Sequence, residues 1–370
     1  MKIGIVCPYH IFKPGGVLEH VMHQADGLRQ RGHDVTIITP RPRGYDMSDA
    51  PKGVVFIGGS ARIKTPSSTS SDVSITIDVD AVDAELAKGY DVIHVHEPAL
   101  PLLARQILPR VTCLRVGTFH AALPGNAIGR SLIRSYRAYF KTVLPYIDAI
   151  TAVSPAAIGF IRDEVEESDI NYIPNGISLD KMSAHNDEYR NRQQIFFIGR
   201  LEKRKGALYA IKAFEKLKTR KPQLELIIAG DGPLRSSLES YVSRNGIEDV
   251  TFLGFVSEEQ KFHYMNTCGV YTSPALYGES FGIVVAEALA CGAPTVAHNN
   301  EGYSWVLQGT GRLSLVDVHD IDAYADRLQL MLEDDSLRRA WQSWAKKYVR
   351  QFDYERVVDQ YEELYKSNLK

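Results

Sequence analysis

Residues 270–297 read VYTSPALYGESFGIVVAEALACGAPTVA, and this stretch holds a complete strand, helix and strand. Val270–Ser273 is a short β-rich run, and the residues from Pro274 to Gly282 are rich in turn formers. The run Ile283–Ala290 is almost wholly apolar, so it predicts a buried helix with Ser280 as its N-cap, stopped by Gly292 and Pro294. Pro294–Ala297 then resumes as a strand. Two strands joined through a helix lie parallel, so the stretch predicts a parallel sheet covered by helices.

The same alternation extends in both directions and occurs twice. The first half predicts strands near Lys2–Cys7, Val35–Thr39, Val54–Ile57, Val92–His96, Leu114–Phe119 and Ala149–Val153. The second predicts them near Gln194–Ile198, Leu224–Ala229, Val250–Leu253, Val270–Ser273 and Pro294–Ala297. A helix from Val17 places Val17, Val21, Ala25 and Leu28 on one face and stops at Gly32. Lys64–Ser71 reads as a loop, and Ile173-Pro174-Asn175-Gly176 as the turn between the halves. The expectation is an α/β chain of two doubly wound, Rossmann-like domains, over 1–173 and 174–350. A last helix within 351–370, near Tyr354 to Tyr365, is expected to pack back on the first domain.

Composition narrows the function classes. The 370 residues are 44% hydrophobic and 24% charged, with 43 Lys plus Arg against 45 Asp plus Glu. A net charge of -2 argues against a partner such as nucleic acid, which is held by a broad positive field. Cys7, Cys113, Cys268 and Cys291 lack metal-ligand spacing and read as reduced thiols of a cytoplasmic protein. The apolar opening Ile3–Cys7 is too short for a signal-peptide core, and no run approaches a membrane span.

A dinucleotide site would show Gly-x-Gly-x-x-Gly after the first strand, and that signature is absent. Instead Pro14-Gly15-Gly16 opens the first helix, where exposed N–H groups can face a phosphate. Glu279 falls in the loop at the mouth of the buried helix and Glu287 about two turns inside it, which suits charge-assisted bonds to sugar and ribose hydroxyls. Arg200 and Lys205 follow the strand Gln194–Ile198, where two cations can neutralise a diphosphate leaving group. Cations oppose the dipole at a helix start, so an anion is expected beside them.

Cys7-Pro8-Tyr9, Pro14-Gly15-Gly16-Val17, His94-Val95-His96-Glu97-Pro98, Gly117-Thr118-Phe119-His120, Val153-Ser154, Pro174-Asn175-Gly176, Gly199-Arg200, Lys205-Gly206, Gly230-Asp231-Gly232-Pro233 and the Glu279/Glu287 segment occur in this order. In these landmarks the chain resembles the retaining glycosyltransferases of family 4, of GT-B fold with two domains facing a central cleft, and in particular the bacterial phosphatidyl-myo-inositol mannosyltransferases. The resemblance implies that Arg200 and Lys205 bind the donor diphosphate with Gly16, that Glu287 holds the ribose, and that Phe255 and Val256 flank the base. It implies that Glu279, with Ser280, Phe281, Gly282 and Ile283, binds the transferred sugar, and that His120 and Tyr9 lie on the acceptor side. His120, Arg200, Lys205 and Glu279 are then the catalytic set. The implied mechanism is front-face displacement, in which the departing diphosphate helps to take the acceptor proton.

No cofactor and no metal are expected, the nucleotide sugar being a co-substrate. Asp78-Val79-Asp80 spells a metal-binding triplet but stands apart from the other landmarks. GDP and mannose are favoured by the resemblance, with uridine and glucose or N-acetylglucosamine next, and a lipid or glycan as acceptor. Arg130, Arg134, Arg137 and Lys141 recur at helical spacing and form a candidate patch for anionic membrane or an acceptor phosphate on the inner face of the cell membrane. Asp78, Asp80, Asp83 and Glu85 stand where the mannosyltransferases carry a basic cluster, which argues against phosphatidylinositol itself. A sugar nucleotide epimerase of similar fold and a non-catalytic nucleotide-sugar-binding protein are the alternatives.

Overall fold

The computed structural model describes residues 1–9, 11–12, 15–42, 50–64, 70–74, 78–100, 102–122, 137–182 and 190–369, with backbone alone at 61–64 and 70–74. They form two compact units: Met1–Gly176 with Tyr354–Lys370, and Ile177–Asp353. Against an expected division after 173, the chain crosses after Gly176 and returns at Tyr354.

The first unit is built on β1 (Lys2–Val6), β2 (Asp34–Arg41), β3 (Val54–Lys64), β4 (Ser70–Ser74), β5 (Val92–His96), β6 (Leu114–Phe119), β7 (Ala149–Ala152) and β8 (Ile170–Tyr172). Their order is β4-β3-β2-β1-β5-β6-β7-β8, parallel except for the β3–β4 pair. The stretch expected to be a loop from Lys64 to Ser71 is therefore strand at both ends. Its Ser-rich sequence gives a weak strand signal, and the backbone ladder at the sheet edge supplies what propensity does not.

The second unit holds β9 (Asn191–Ile198), β10 (Glu225–Ala229), β11 (Val250–Gly254), β12 (Cys268–Ser273), β13 (Thr295–His298) and β14 (Leu315–Val316), in the order β11-β10-β9-β12-β13-β14. The ladders between these strands are all parallel. β8 and β14, of three and two residues, are too short to show a period in sequence.

In both sheets the strand order reverses beside a central strand, at β1/β5 and at β9/β12. Loops leaving two such neighbours turn to opposite faces, and a crevice opens at their carboxyl ends. Ile3, Ile5, Ile195 and Phe196 are buried under the flanking helices. In the first unit, helix Gly16–Gln30 and the last helix, Tyr354–Asn368, pack so closely that a Cβ on Gly27 would stand 2.8 Å from Val358.

Candidate active site

In the second unit the exits of β9 and β12 meet. After β9, Gly199 to Gly206 turn through a short 3-10 segment, Lys203–Lys205, into helix Ala207–Arg220. Gly206 has φ +72°, and a Cβ there would lie 2.1 Å from the Pro274 carbonyl oxygen. Gly230 and Gly232 likewise leave no room, since a Cβ would stand 2.1 Å from Gly199 O and 2.6 Å from Leu201 O. The glycines of the sequence landmarks thus let three strand exits crowd together.

That crowding assembles a charge cluster. Lys205 Nζ donates to Glu279 Oε1 at 2.7 Å, and an Arg204 guanidinium N–H donates to the same oxygen at 2.8 Å. Arg204 Nε also donates to Glu202 at 2.5 Å, and Arg200 Nε lies 3.6 Å from the other Glu202 oxygen. Three cations face two carboxylates, which leaves the cluster net positive. Arg200 is half exposed, whereas Arg204, Lys205 and Glu279 are largely covered. In the structure Glu279 and Glu202 stand beside these cations. Sequence reasoning missed Arg204 and Glu202, which looked like ordinary charge around a helix start.

The helix after β12 begins at Ile283, with Gly282 as N-cap at φ +97°, where a Cβ would stand 2.5 Å from the Tyr303 ring. Ser280 is therefore not the cap, because the left-handed turn at Gly282 sets the start two residues later. Glu287 consequently lies about one turn inside the helix rather than two. It is buried and accepts a bond from Lys261 Nζ at 2.6 Å. Lys261 was not picked out in sequence; it projects from helix Glu258–Thr267, which Ser257 and Gln260 cap reciprocally. Phe281 is buried and Ile283 half-buried. Phe255, directly after β11, is 89% exposed, an unusual position for a Phe, with Val256 half-buried beside it.

The first unit gathers a second cluster from residue pairs at regular spacing. His94 and His96 on β5 are two apart and share a face, as do Thr118 and His120 at the end of β6. His20 and Gln24 come from one turn of the first helix, and Tyr361 and Tyr365 from one turn of the last. Gln24 Nε2 donates to Tyr365 OH at 2.9 Å, and that hydroxyl lies 2.6 Å from His94 Nδ1. His94 Nδ1 is also 3.0 Å from Gln24 Nε2, so it accepts, and His94 Nε2–H donates to Thr118 at 2.6 Å. His94 stacks on His96 at 4.2 Å, and His96 Nδ1 lies 2.9 Å from His120 Nε2.

Burial holds all four imidazoles in the neutral form, His20 down to about 3 and His94, His96 and His120 well below the usual range. Glu97, at φ +52°, accepts the His120 backbone N–H at 3.2 Å, and burial pushes its carboxyl up to about 7. A non-glycine residue in that region is strained, and here the strain aims the carboxylate at the loop that carries His120. Neutral His20, His96 and His120 each bring one nitrogen within 4.8 Å of the others, a spacing that could hold a metal ion, although His96 and His120 already bond each other.

Gly16 is the first residue of its helix, and Gly15 before it is extended with open space around its Cβ position. Neither backbone strain nor packing explains that glycine, which leaves room for an approaching group. Tyr9 is half-buried and its carbonyl accepts from Thr39 Oγ1 at 2.8 Å. Pro14, Arg130 and Arg134 lie outside the described residues. Arg137 pairs with Asp163, and Lys141 lies 3.9 Å from Glu164, so these two members of the basic patch face local carboxylates. Asp78 caps helix Val79–Leu86 by accepting from Ala81 N at 3.1 Å, a structural use. Among the described residues no helix is long and apolar enough to cross a membrane.

Two family models divide the chain: Glycosyltransferase Family 4 matches residues 14–181 and Glycosyl transferases group 1 matches 180–348. Phosphatidyl-myo-inositol mannosyltransferase of Mycolicibacterium smegmatis is 32% identical, over 99% of this chain and 94% of its own length. Its namesake from Mycobacterium tuberculosis is 31% identical, over 99% and 97%. Among solved structures, a glycosyltransferase of Rickettsia africae superposes with a TM-score of 0.78 at 17% identity, covering 100% of this chain and 98% of its own. Anabaena HepE in complex with UDP and glucose gives 0.72 at 20%, covering 99% and 100%. Both likenesses concern the fold, the two-Rossmann GT-B architecture.

Proposed function

The chain belongs to glycosyltransferase family 4 and is a hexosyltransferase, and on that premise we propose that it moves mannose from GDP-mannose to a lipid or glycan acceptor. The anomeric configuration is retained and no catalytic metal is required. The observation that carries the reading is the joint grip of Arg204 and Lys205 on Glu279 at the carboxyl end of the second sheet. A diphosphate carries more charge than one carboxylate. On arrival it draws the N–H groups of Arg200, Arg204 and Lys205 to itself and frees Glu279 to accept hydroxyls of the sugar.

As the sugar–phosphate bond breaks, negative charge grows on the departing oxygen, and the three cations stabilise it where a metal ion would otherwise serve. The acceptor hydroxyl passes its proton to that oxygen and attacks from the same face. Glu287 holds the ribose with Lys261 fixing its carboxylate, and exposed Phe255 offers an aromatic face to the base. His120 of the first unit, kept neutral by burial, serves on the acceptor side by hydrogen bonding rather than by charge. The mannose assignment draws on the names of the relatives above, and guanosine on the resemblance of the sequence landmarks to that family.

The test is sugar transfer with chelator present, comparing GDP-mannose, UDP-glucose and ADP-glucose as donors, with Lys205→Met as control. GDP-mannose is expected to be turned over with EDTA present, and Lys205→Met to lower kcat by about two to three orders of magnitude at unchanged fold. Full turnover by Lys205→Met, or activity only with an added metal, overturns the mechanism.

A further inference from the structure

β13 and β14 are parallel neighbours, with Ala297 opposite Leu315 and His298 opposite Val316, so their exits emerge side by side. There His298, Asp317 and His319 each bring one ligand atom within 4.8 Å of the other two. His319 Nδ1 lies 2.8 Å from Asp317 Oδ1, His298 Nδ1 lies 3.9 Å from that oxygen, and the two rings meet nearly at right angles, 5.4 Å apart. Metal bonds of about 2.0–2.2 Å set neighbouring ligand atoms roughly 3.3–3.5 Å apart in a tetrahedron, a spacing these distances bracket. A small rotation of each ring closes the set.

Val318 N–H reaches His298 Nδ1 at 3.3 Å, a long bond that an ion can displace. The turn in which Asp317 accepts the His319 backbone N–H at 3.0 Å accounts for that pair, but not for the third donor brought from the next strand. Asp317 and His319 are more than half exposed, so an ion can enter and water can complete its shell. The buried trio of His20, His96 and His120 has no such opening.

We propose that His298, Asp317 and His319 form a binding site for a divalent transition-metal ion of the Zn²⁺ type, separate from the transfer chemistry. The ion ties the exits of β13 and β14 together. β13 leads through Asn300 into helix Glu301–Val306, where a Cβ on Gly302 would stand 2.3 Å from the Glu279 carbonyl oxygen. The clamp therefore stiffens the backbone behind Glu279.

The test uses the full chain without a histidine tag, stripped with chelator and titrated with ZnCl₂ by calorimetry and with CoCl₂ by visible ligand-field absorption. One equivalent is expected to bind and raise the Tm of the wild type. His319→Ala and, as a second exposed variant, Asp317→Asn are expected to weaken binding roughly tenfold or more with unchanged circular dichroism. No binding overturns the site. So does binding that both substitutions leave intact, including capture by the buried trio, which His20→Gln would then abolish.

Discussion

Acid should loosen the first unit before the second, through the neutral imidazoles of His20, His94, His96 and His120. Each has a folded pKa below the ordinary 6.5, His20 at about 3. The unfolded chain therefore binds more protons below pH 6.5, and stability that is whole above that value falls as the pH drops. At pH 5.5 each imidazole that stays neutral withholds roughly 1 to 2 kcal/mol, on the order of 5 to 6 kcal/mol for the four. Glu97 acts in the opposite sense: its carboxyl is raised from 4.5 to about 7, so its contribution is whole below 4.5 and lost as the pH rises through 7. Between pH 8 and 5.5 it returns about 2 kcal/mol. The net loss is about 3 to 4 kcal/mol, a large part of a typical domain stability of roughly 5–15 kcal/mol. Hydrogen exchange at the amides of β1, β5 and β6 measures it. Trp305, Trp341 and Trp344 all lie in the second unit, so tryptophan fluorescence reports that unit separately. His20→Gln should reduce the loss at pH 5.5 by about 1.4 kcal/mol. A flat exchange stability from pH 8 to 5.5, or an unchanged slope in His20→Gln, would refute the burial of neutral imidazoles as its source.

Glu97→Gln keeps an oxygen for the His120 backbone N–H and should hold kcat within about threefold of wild type, whereas Glu97→Ala releases that loop and should lower kcat by roughly tenfold to a hundredfold with less change in KM. Equal loss in both variants, measured by steady-state transfer, would make the carboxylate a chemical group instead. Tyr365→Phe removes the hydroxyl shared by Gln24 and His94 and should cost about 1–3 kcal/mol, while Tyr361→Phe removes weaker contacts with Thr118, at 3.5 Å, and Thr151 and should cost less. Denaturant unfolding of both variants checks the order, and a larger loss in Tyr361→Phe would contradict it.

Eleven of the fourteen described strands and the helices that begin and end the first unit were legible because apolar period and turn residues act locally, as the stretch 270–297 also shows. What escaped depends on partners outside the local run of residues. β4 owes its pairing to β3 rather than to its serines, and the start of helix Ile283–Ala290 is fixed by the room that the Tyr303 ring leaves at Gly282. Lys205 and Arg200 could be selected because a helix start that collects cations is unfavourable alone, and Glu279 because it falls at the mouth of an apolar helix that carries a second carboxylate. Arg204 and Lys261 could not, since nothing in their neighbourhood says which carboxylate each will meet.

The last helix likewise belongs to the histidine cluster as well as to the core. Its apolar face, with Val357, Val358 and Leu364, would be satisfied by packing on the first helix alone. Tyr361 and Tyr365 add hydroxyls to a fully buried layer, where a polar group without a partner costs stability. Tyr365 resolves this by bonding His94 and Gln24, which fixes which nitrogen of His94 carries the proton. His94 stacks on His96, and His96 meets His120, so the helix that closes the chain supports the orientation of the imidazole at the end of β6. A purely structural core would fill this layer with leucine and lose nothing. Four neutral imidazoles are held there, at a cost that grows in acid, in a stacked and hydrogen-bonded layer that ends at His120.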